Sequence, residues 1–314
     1  MEKKSSEIRK GNELILIFFV LCMIGVLGYA VFWMHMETER LDLNSTYNEK
    51  LITEREERIT VLSDRKNSLL DEKKQIENYS ESLAYYRNHF FELVSELENR
   101  ILNGTSDKKI AYLTFDDGPY RMSYKFLNIL DEYDVQATFF YLKKCAENGF
   151  RDEEIYDEVY RRVINSGHTL GNHTASHQLG QGGIYSSVER FIDEIEENRK
   201  FIYDRYGYTT EVMRFPGGTG TAGSKYYDII EELRKINYAW VDWNSATGDG
   251  GRILSPQEYR DNVLDNTGGR KLLVVLMHDY SDNTLIALPE IIEGLAKQGY
   301  IFLPLFYGSQ AVNR

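Results

Sequence analysis

Two stretches of the chain carry residue types that do chemistry together. Ile110 to Leu113 is a short apolar run that leads into Thr114-Phe-Asp-Asp-Gly-Pro119, where two adjacent carboxylates meet a Gly-Pro stop. This reads as a buried strand delivering Asp116 and Asp117 to its C-terminal tip. Adjacent residues at a strand end point in different directions, so one acid can ligate a metal while the other takes a proton. The same tetrad is also ordinary turn chemistry. Further along, His173-Thr-Ala-Ser-His177 sets two imidazoles at i and i+4, which share one face of a helical turn and can hold one cation. A metalloprotease would need Glu directly after the first histidine, and Thr174 stands there instead. With Asp117 the set becomes two histidines and one carboxylate, a catalytic type of site that leaves positions for water and substrate. Zinc is the expected ion, although the set suits other divalent metals too.

These residues need a scaffold that brings strand ends together. Short β-branched runs recur at 110–115, 137–142, 169–172, 212–215, 238–243, 272–278 and 301–305, with amphipathic stretches at 124–133, 153–165, 186–206, 225–236, 256–265 and 285–298. Alternation of this kind predicts an α/β fold with a parallel sheet and helices outside, here a distorted (β/α) barrel, closed or nearly closed. Active sites of such barrels gather at the C-terminal strand ends. Asp116, Asp117, His173, Arg214, Asp242 and His278 all fall at or just beyond such ends.

Taken in order, these segments resemble the polysaccharide deacetylases, carbohydrate esterase family 4. Thr114-Phe-Asp-Asp-Gly-Pro119 and His173-Thr-x-x-His177 match the family's first two motifs, and Arg214-Phe-Pro-Gly-Gly218 resembles the third. Asp242-Trp243 resembles the end of the fourth, and Leu276-Met-His278 the fifth. The similarity runs from about Lys109 to Tyr307. Two positions depart from the pattern: Gly217 replaces the aromatic that often follows the third motif's proline, and Ala239 stands where the fourth often has another Asp.

The resemblance implies hydrolysis of an acetamide, which needs an activated water, a stabilised oxyanion and a proton for the departing amine. Asp117, His173 and His177 would hold the metal, which polarises the carbonyl and lowers the pKa of water towards about 7. Asp116 would be the general base, kept ionised by Arg214. Gly217 would lend its backbone N–H to the oxyanion. His278 fits the general acid, with Asp242 holding it protonated and oriented. Trp243 and Leu276 would line the pocket for the acetyl methyl, Trp243 equally reading as core packing. Asp249, in a Gly-rich stretch at 245–254, reads either as a substrate contact or as a turn cap. His168 matches no motif and reads as structural; His35 and His89 lie outside the domain.

The rest of the chain sets the context. Its 314 residues carry a net charge of −12, and no basic face argues for nucleic acid as a partner. Two cysteines, Cys22 and Cys145, make neither a disulfide framework nor a thiolate metal site. A short tail at 1–13 with Lys3, Lys4, Arg9 and Lys10 precedes an uncharged apolar run at 14–34, long enough to span a membrane as a helix. Its flanking charges place the N-terminus in the cytoplasm and the remainder outside, in a single pass. A cleaved signal peptide ending near Ala30 is the competing reading. Residues 35–102 read as a helical stalk, reaching roughly 100 Å at about 1.5 Å per residue. One column at seven-residue spacing, Leu62 to Leu97, is apolar throughout, while its companion column is poor, so a homo-oligomeric coiled coil and a solitary spacer both remain open. A linker at 103–109, the catalytic domain at 110–308 and a tail at 309–314 complete the layout. A catalytic domain held outside the cell membrane is placed to act on wall polymer. The expected substrate is therefore the N-acetylglucosamine of peptidoglycan. N-acetylmuramic acid, an exported polyglucosamine and chitin oligomers are the alternatives, and a wall-binding scaffold with an inactive barrel is the non-enzymatic one.

Overall fold

The structure, a computed structural model, describes residues 45–144, 153–311 and 313. The chain divides into two compact units, Met1–His89 and Phe90–Arg314. What is described of the first is helix: α1 spans Ser45–Leu102, a run without Gly or Pro. The apolar segment expected to cross a membrane, 14–34, lies outside the described residues. Among the described ones no helix is long and apolar enough to do so.

The second unit alternates strand and helix. In chain order it holds β1 (Lys109–Asp116), α2 (Ser123–Glu132), β2 (Thr138–Tyr141), α3 (Glu153–Asn165), β3 (Thr169–Asn172), α4 (Val188–Tyr206) and β4 (Val212–Met213). A 3-10 helix (Thr219–Lys225) follows, then α5 (Tyr226–Lys235), β5 (Ala239–Trp240), β6 (Ser245–Ala246), α6 (Pro256–Leu264), β7 (Leu272–His278), α7 (Asp282–Lys297) and β8 (Tyr300–Phe302). All pairings between these strands are parallel, in the order β5-β4-β3-β2-β1-β7-β6. β8 pairs with Lys109–Ala111 at the start of β1, and β2 with Thr114–Asp116 at its end, so the two share one edge of β1.

β5 and β6 are the two ends of the sheet and do not pair with each other, so the distorted (β/α) barrel expected is a curled half-barrel whose end strands are joined by the four residues 241–244. Residues 241–244 carry the chain from β5 to β6: the Val241 N–H donates to Met213 O and the Asn244 N–H to Val274 O (3.1 Å each), and the carbonyls of Val241 and Asp242 accept from Arg214 (3.2 and 3.3 Å). The open edge at β5 is bridged by Asn313, antiparallel to Trp240. β6 was not legible in the sequence, because Ser245 and Ala246 carry no β-branched apolar signal.

β1 is buried on both faces, as a central parallel strand must be. Ala111, Leu113 and Phe115 pack with α2, α3, α6 and α7, whereas Ile110 and Tyr112 face Leu97 and Ile101 of α1 and Leu305. The last turns of α1 thus belong to the catalytic unit, which was expected to start only after a linker at 103–109. Their inward stripe is Phe91, Val94, Glu98 and Ile101. Phe91 stacks on Phe306 at 4.5 Å, and Ser95 Oγ donates to Gly308 O at 2.7 Å. Glu98 is fully buried and accepts hydrogen bonds from Tyr112 Oη, Ser309 Oγ and the Gln310 N–H. Burial beside this carboxylate pushes the Tyr112 phenol far above its usual pKa. Residues 309–311 and 313, read from sequence as part of a tail, are therefore also part of the fold.

Candidate active site

Strand register assembles the site. β1 aligns Asp116 with Phe140 of β2 and with His278 of β7, so the base candidate and the acid candidate sit on neighbouring strand tips. Beyond Asp116 the chain turns sharply, with Asp117 at φ 71°. Gly118 comes so close to Tyr141 that a Cβ there would lie 2.3 Å from its ring. The two histidines follow β3. They are brought together by a non-helical turn, not by the helical turn expected, with Thr174 at φ 73° and His177 at φ 52°. Asn172 Oδ1 accepts from the Thr174 N–H (2.9 Å), and Thr174 Oγ1 accepts from the His177 N–H (3.1 Å), which holds this left-handed backbone in place.

The predicted ligand atoms converge. Asp117 Oδ1 lies 3.3 Å from Nε2 of His173 and 3.3 Å from Nε2 of His177, and all three atoms are within 4.8 Å of one another. Ligands about 2.0–2.1 Å from a tetrahedral ion stand roughly 3.3 Å apart, so the set fits a divalent cation of zinc's size. His173 Nδ1 is 2.8 Å from the Arg214 carbonyl; it donates there, which leaves Nε2 its lone pair for a cation. Burial works against ionisation of Asp117, but His173, His177 and His278 outweigh it and hold the carboxyl at about 2. Three lone-pair atoms facing one point repel each other unless a cation or proton sits between them.

Arg214 is fully buried under Asp116. Its Nη1 donates to Asp116 Oδ1 (2.9 Å) and to Thr114 Oγ1 (2.6 Å), and its guanidinium lies 4.5 Å from the Phe140 ring and 5.7 Å from that of Trp243. Asp116 Oδ2 is 3.8 Å from His173 Nε2. On the other flank, His278 Nε2 is 3.7 Å from Asp117 Oδ2. A carboxylate and an imidazole therefore stand on two sides of one candidate metal centre.

The partner of His278 is Asp249, not Asp242. Asp249 Oδ1 lies 2.8 Å from His278 Nδ1, and its Oδ2 accepts from the His278 N–H (2.9 Å) and Thr284 Oγ1 (2.7 Å). Burial opposes the imidazolium, but Asp249 outweighs it, with help from Asp116 and Asp117, and raises the pKa of His278 to about 9. Sheet order explains the correction. Asp242 leaves β5 at one end of the sheet, whereas Asp249 follows β6, which pairs directly with β7. Asp242 instead accepts from the N–H (3.0 Å) and the hydroxyl of Thr219, capping the 3-10 helix. The Asp-Trp pair stays at the site through the Asp242 carbonyl and the Trp243 ring, both facing Arg214, while the acid that pairs with His278 lies three residues beyond β6.

The other predicted residues stand around this centre. Gly217, exposed on the loop after Arg214, has φ 74°, and a Cβ there would meet Thr221 Oγ1 at 2.9 Å, so the backbone here favours glycine. Trp243 is half-buried, with its ring beside Gly218 and the Arg214 guanidinium, and Leu276 is half-buried on β7. His168 accepts from the Ala137 N–H (3.0 Å) away from the site, and burial pushes its pKa down to about 4.

Asp279, missed in the sequence, lies beneath the cleft. It is fully buried and accepts from Ser123 Oγ (2.5 Å) and Tyr141 Oη (3.0 Å), joining the turn after β1 to the end of β7. Burial raises its pKa to about 7. A carboxyl raised from the usual 3.8 in the folded state favours folding fully at low pH, and that contribution is lost as pH rises from about 4 through 7. Asp279→Asn should therefore flatten the fall in stability over this range. Urea unfolding at pH 5 and pH 8 should show a smaller difference than in the wild type, by up to roughly 2.5 kcal/mol. An unchanged difference would remove Asp279 as its source.

Comparison with known proteins points to one family. A family model for polysaccharide deacetylase matches residues 103–239. A peptidoglycan-N-acetylglucosamine deacetylase of Bacillus cereus is 30% identical over 204 residues, covering 62% of this chain and 69% of the relative. The catalytic domain of peptidoglycan N-acetylglucosamine deacetylase from Eubacterium rectale superposes with a TM-score of 0.58 at 31% identity, over 64% of this chain and 90% of that one. A carbohydrate esterase of family 4 from Streptococcus mutans gives 0.59 at 28% identity, over 68% and 91%.

Proposed function

Because this chain belongs to the polysaccharide deacetylase family, we propose that it removes N-acetyl groups from the N-acetylglucosamine residues of peptidoglycan in a metal-dependent hydrolysis. One observation carries this reading: Asp116 and the Asp249-paired His278 flank the point on which Asp117, His173 and His177 converge. That is the arrangement an amide hydrolase needs, with a proton acceptor on one side of the scissile carbon and a proton donor on the other.

A divalent cation held by Asp117, His173 and His177 would supply Lewis acidity to the acetyl carbonyl and to water. Asp116 takes the proton of the attacking water, positioned by the Arg214 hydrogen bond. Water adds to the carbonyl carbon, and the Gly217 N–H donates to the oxygen as it gains charge. His278 gives its Nε2 proton to the departing nitrogen as the C–N bond breaks, so that acetate and a free amine on the sugar are the products. Asp249 holds the imidazole in the donor form and orientation. Trp243 and Leu276 take the acetyl methyl. The apolar run at 14–34 and its flanking charges support a single-pass anchor with the catalytic unit facing the wall. The helix at 45–102 serves as its spacer; Leu97 of its apolar column packs into the catalytic unit, and the column before it is the surface for self-association.

The test follows acetate release from purified peptidoglycan by the full chain in detergent, first stripped with a chelator and then reloaded with zinc. Release should fall by about a hundredfold or more on stripping and return on reloading. Wall muropeptides equally acetylated with and without the gene would overturn the substrate assignment.

A further inference from the structure

Beside the catalytic centre lies a second feature that the mechanism does not use. An open cavity of about 390 Å³ is lined by Tyr120, Arg121, Lys125 and Tyr280, with Asp282 as its acidic member. That is the size of a small-ligand site. It adjoins the reacting groups on two sides. Tyr120 directly follows the Asp116–Pro119 turn, and the Tyr280 ring lies 5.1 Å from the His278 imidazole.

Its aromatic wall is preformed. The Tyr120 and Tyr280 rings meet edge to face at 5.2 Å, and the Tyr120 N–H donates to Ser123 Oγ (2.7 Å), itself bonded to buried Asp279. Its cations are available. Arg121 and Lys125 are exposed, and among the described residues neither has a carboxylate partner in an ion pair. In a chain with 49 acidic and 37 basic residues, an unpaired Arg and Lys beside the cleft, against one acid, favour an anionic guest. A homopolymer of N-acetylglucosamine is neutral and gives these charges nothing to bind. In peptidoglycan the neighbouring muramyl sugar carries a lactyl group and stem peptide, and with them carboxylates.

We propose that Tyr120, Arg121, Lys125 and Tyr280 form a subsite for the carboxylate-bearing sugar next to the N-acetylglucosamine undergoing deacetylation. The aromatic pair packs against the sugar, and the two cations take the carboxylate. The subsite rests on the peptidoglycan reading above and makes the enzyme selective for wall glycan over neutral polymers.

The full chain and its Arg121→Gln/Lys125→Gln variant should be compared on purified peptidoglycan and on neutral N-acetylglucosamine oligomers, at low and high salt. The variant should raise KM on peptidoglycan about tenfold with kcat held, and leave the oligomers within about twofold. Wild-type KM on peptidoglycan should also rise with salt, and the charge-preserving Arg121→Lys/Lys125→Arg variant should retain most of the preference. Equal losses on both substrates, or none on either, would overturn the subsite. A wild-type protein active on the oligomers but not on peptidoglycan would overturn the underlying reading, before any variant is made.

Discussion

Asp116→Asn should cut acetate release by about a thousandfold while leaving metal binding close to wild type. The side chain is buried, accepts from Arg214 Nη1 at 2.9 Å, and stands 3.8 Å from His173 without being one of the three candidate ligands. An amide keeps the oxygen that Arg214 needs but cannot accept the proton of water. It also leaves the fully buried guanidinium without its counter-charge, a loss that can cost about 3–5 kcal/mol. Thermal unfolding must therefore accompany the assay. A folded, metal-loaded variant within tenfold of wild type would remove Asp116 as the base. A chain acting only as a wall-binding scaffold would keep its cellular phenotype with this substitution, which separates that reading from the enzyme.

The second large effect is expected at Asp249. Replacing it with Asn removes the main support of the imidazolium, so the pKa of His278 should fall from about 9 towards or below its usual 6.5. The sign follows from the role. A general acid works while protonated, so the alkaline limb of kcat/KM should move to lower pH, and the rate at pH 8 should drop about a hundredfold. Part of the loss should return at pH 6, which a purely structural lesion would not allow. Asp242→Asn is the matched control: it weakens the cap on Thr219, and its pH profile should stay where the wild type's is. If Asp242→Asn moved the limb and Asp249→Asn did not, the assignment made here would be reversed.

Residues whose roles follow from their immediate neighbours were legible in the sequence. Asp116 and Asp117 end an apolar run, and a Gly-Pro stop forces them to a strand tip. His173 and His177 are close enough in the chain to meet whatever the local backbone. That backbone was not legible, because Thr174 and His177 adopt positive φ, held by Asn172 and Thr174 side chains that local propensity does not register. Asp249 was hidden for a different reason. Its partner lies 29 residues away, and the strand that delivers it is two small residues long. That β5 and β6 stay unpaired was not legible either, because pairing at the two ends of a sheet is set by tertiary packing with no local pattern. Asp279 was missed because a single acid after a motif histidine looks like any surface acid until Ser123 and Tyr141 close over it.

The Glu98 cluster bears on how such a domain is exchanged between proteins. Its carboxylate sits on α1, its hydroxyl donors on β1 and on the C-terminal segment, so three parts of the chain share one buried charge. A cut at the apparent linker, 103–109, would strip the charged member and leave Tyr112 and Ser309 facing a void. The compact unit that holds this cluster starts at Phe90 and runs to Arg314. Any recombination that joins this domain to a different N-terminal segment must carry those helical turns along or supply another carboxylate in their place.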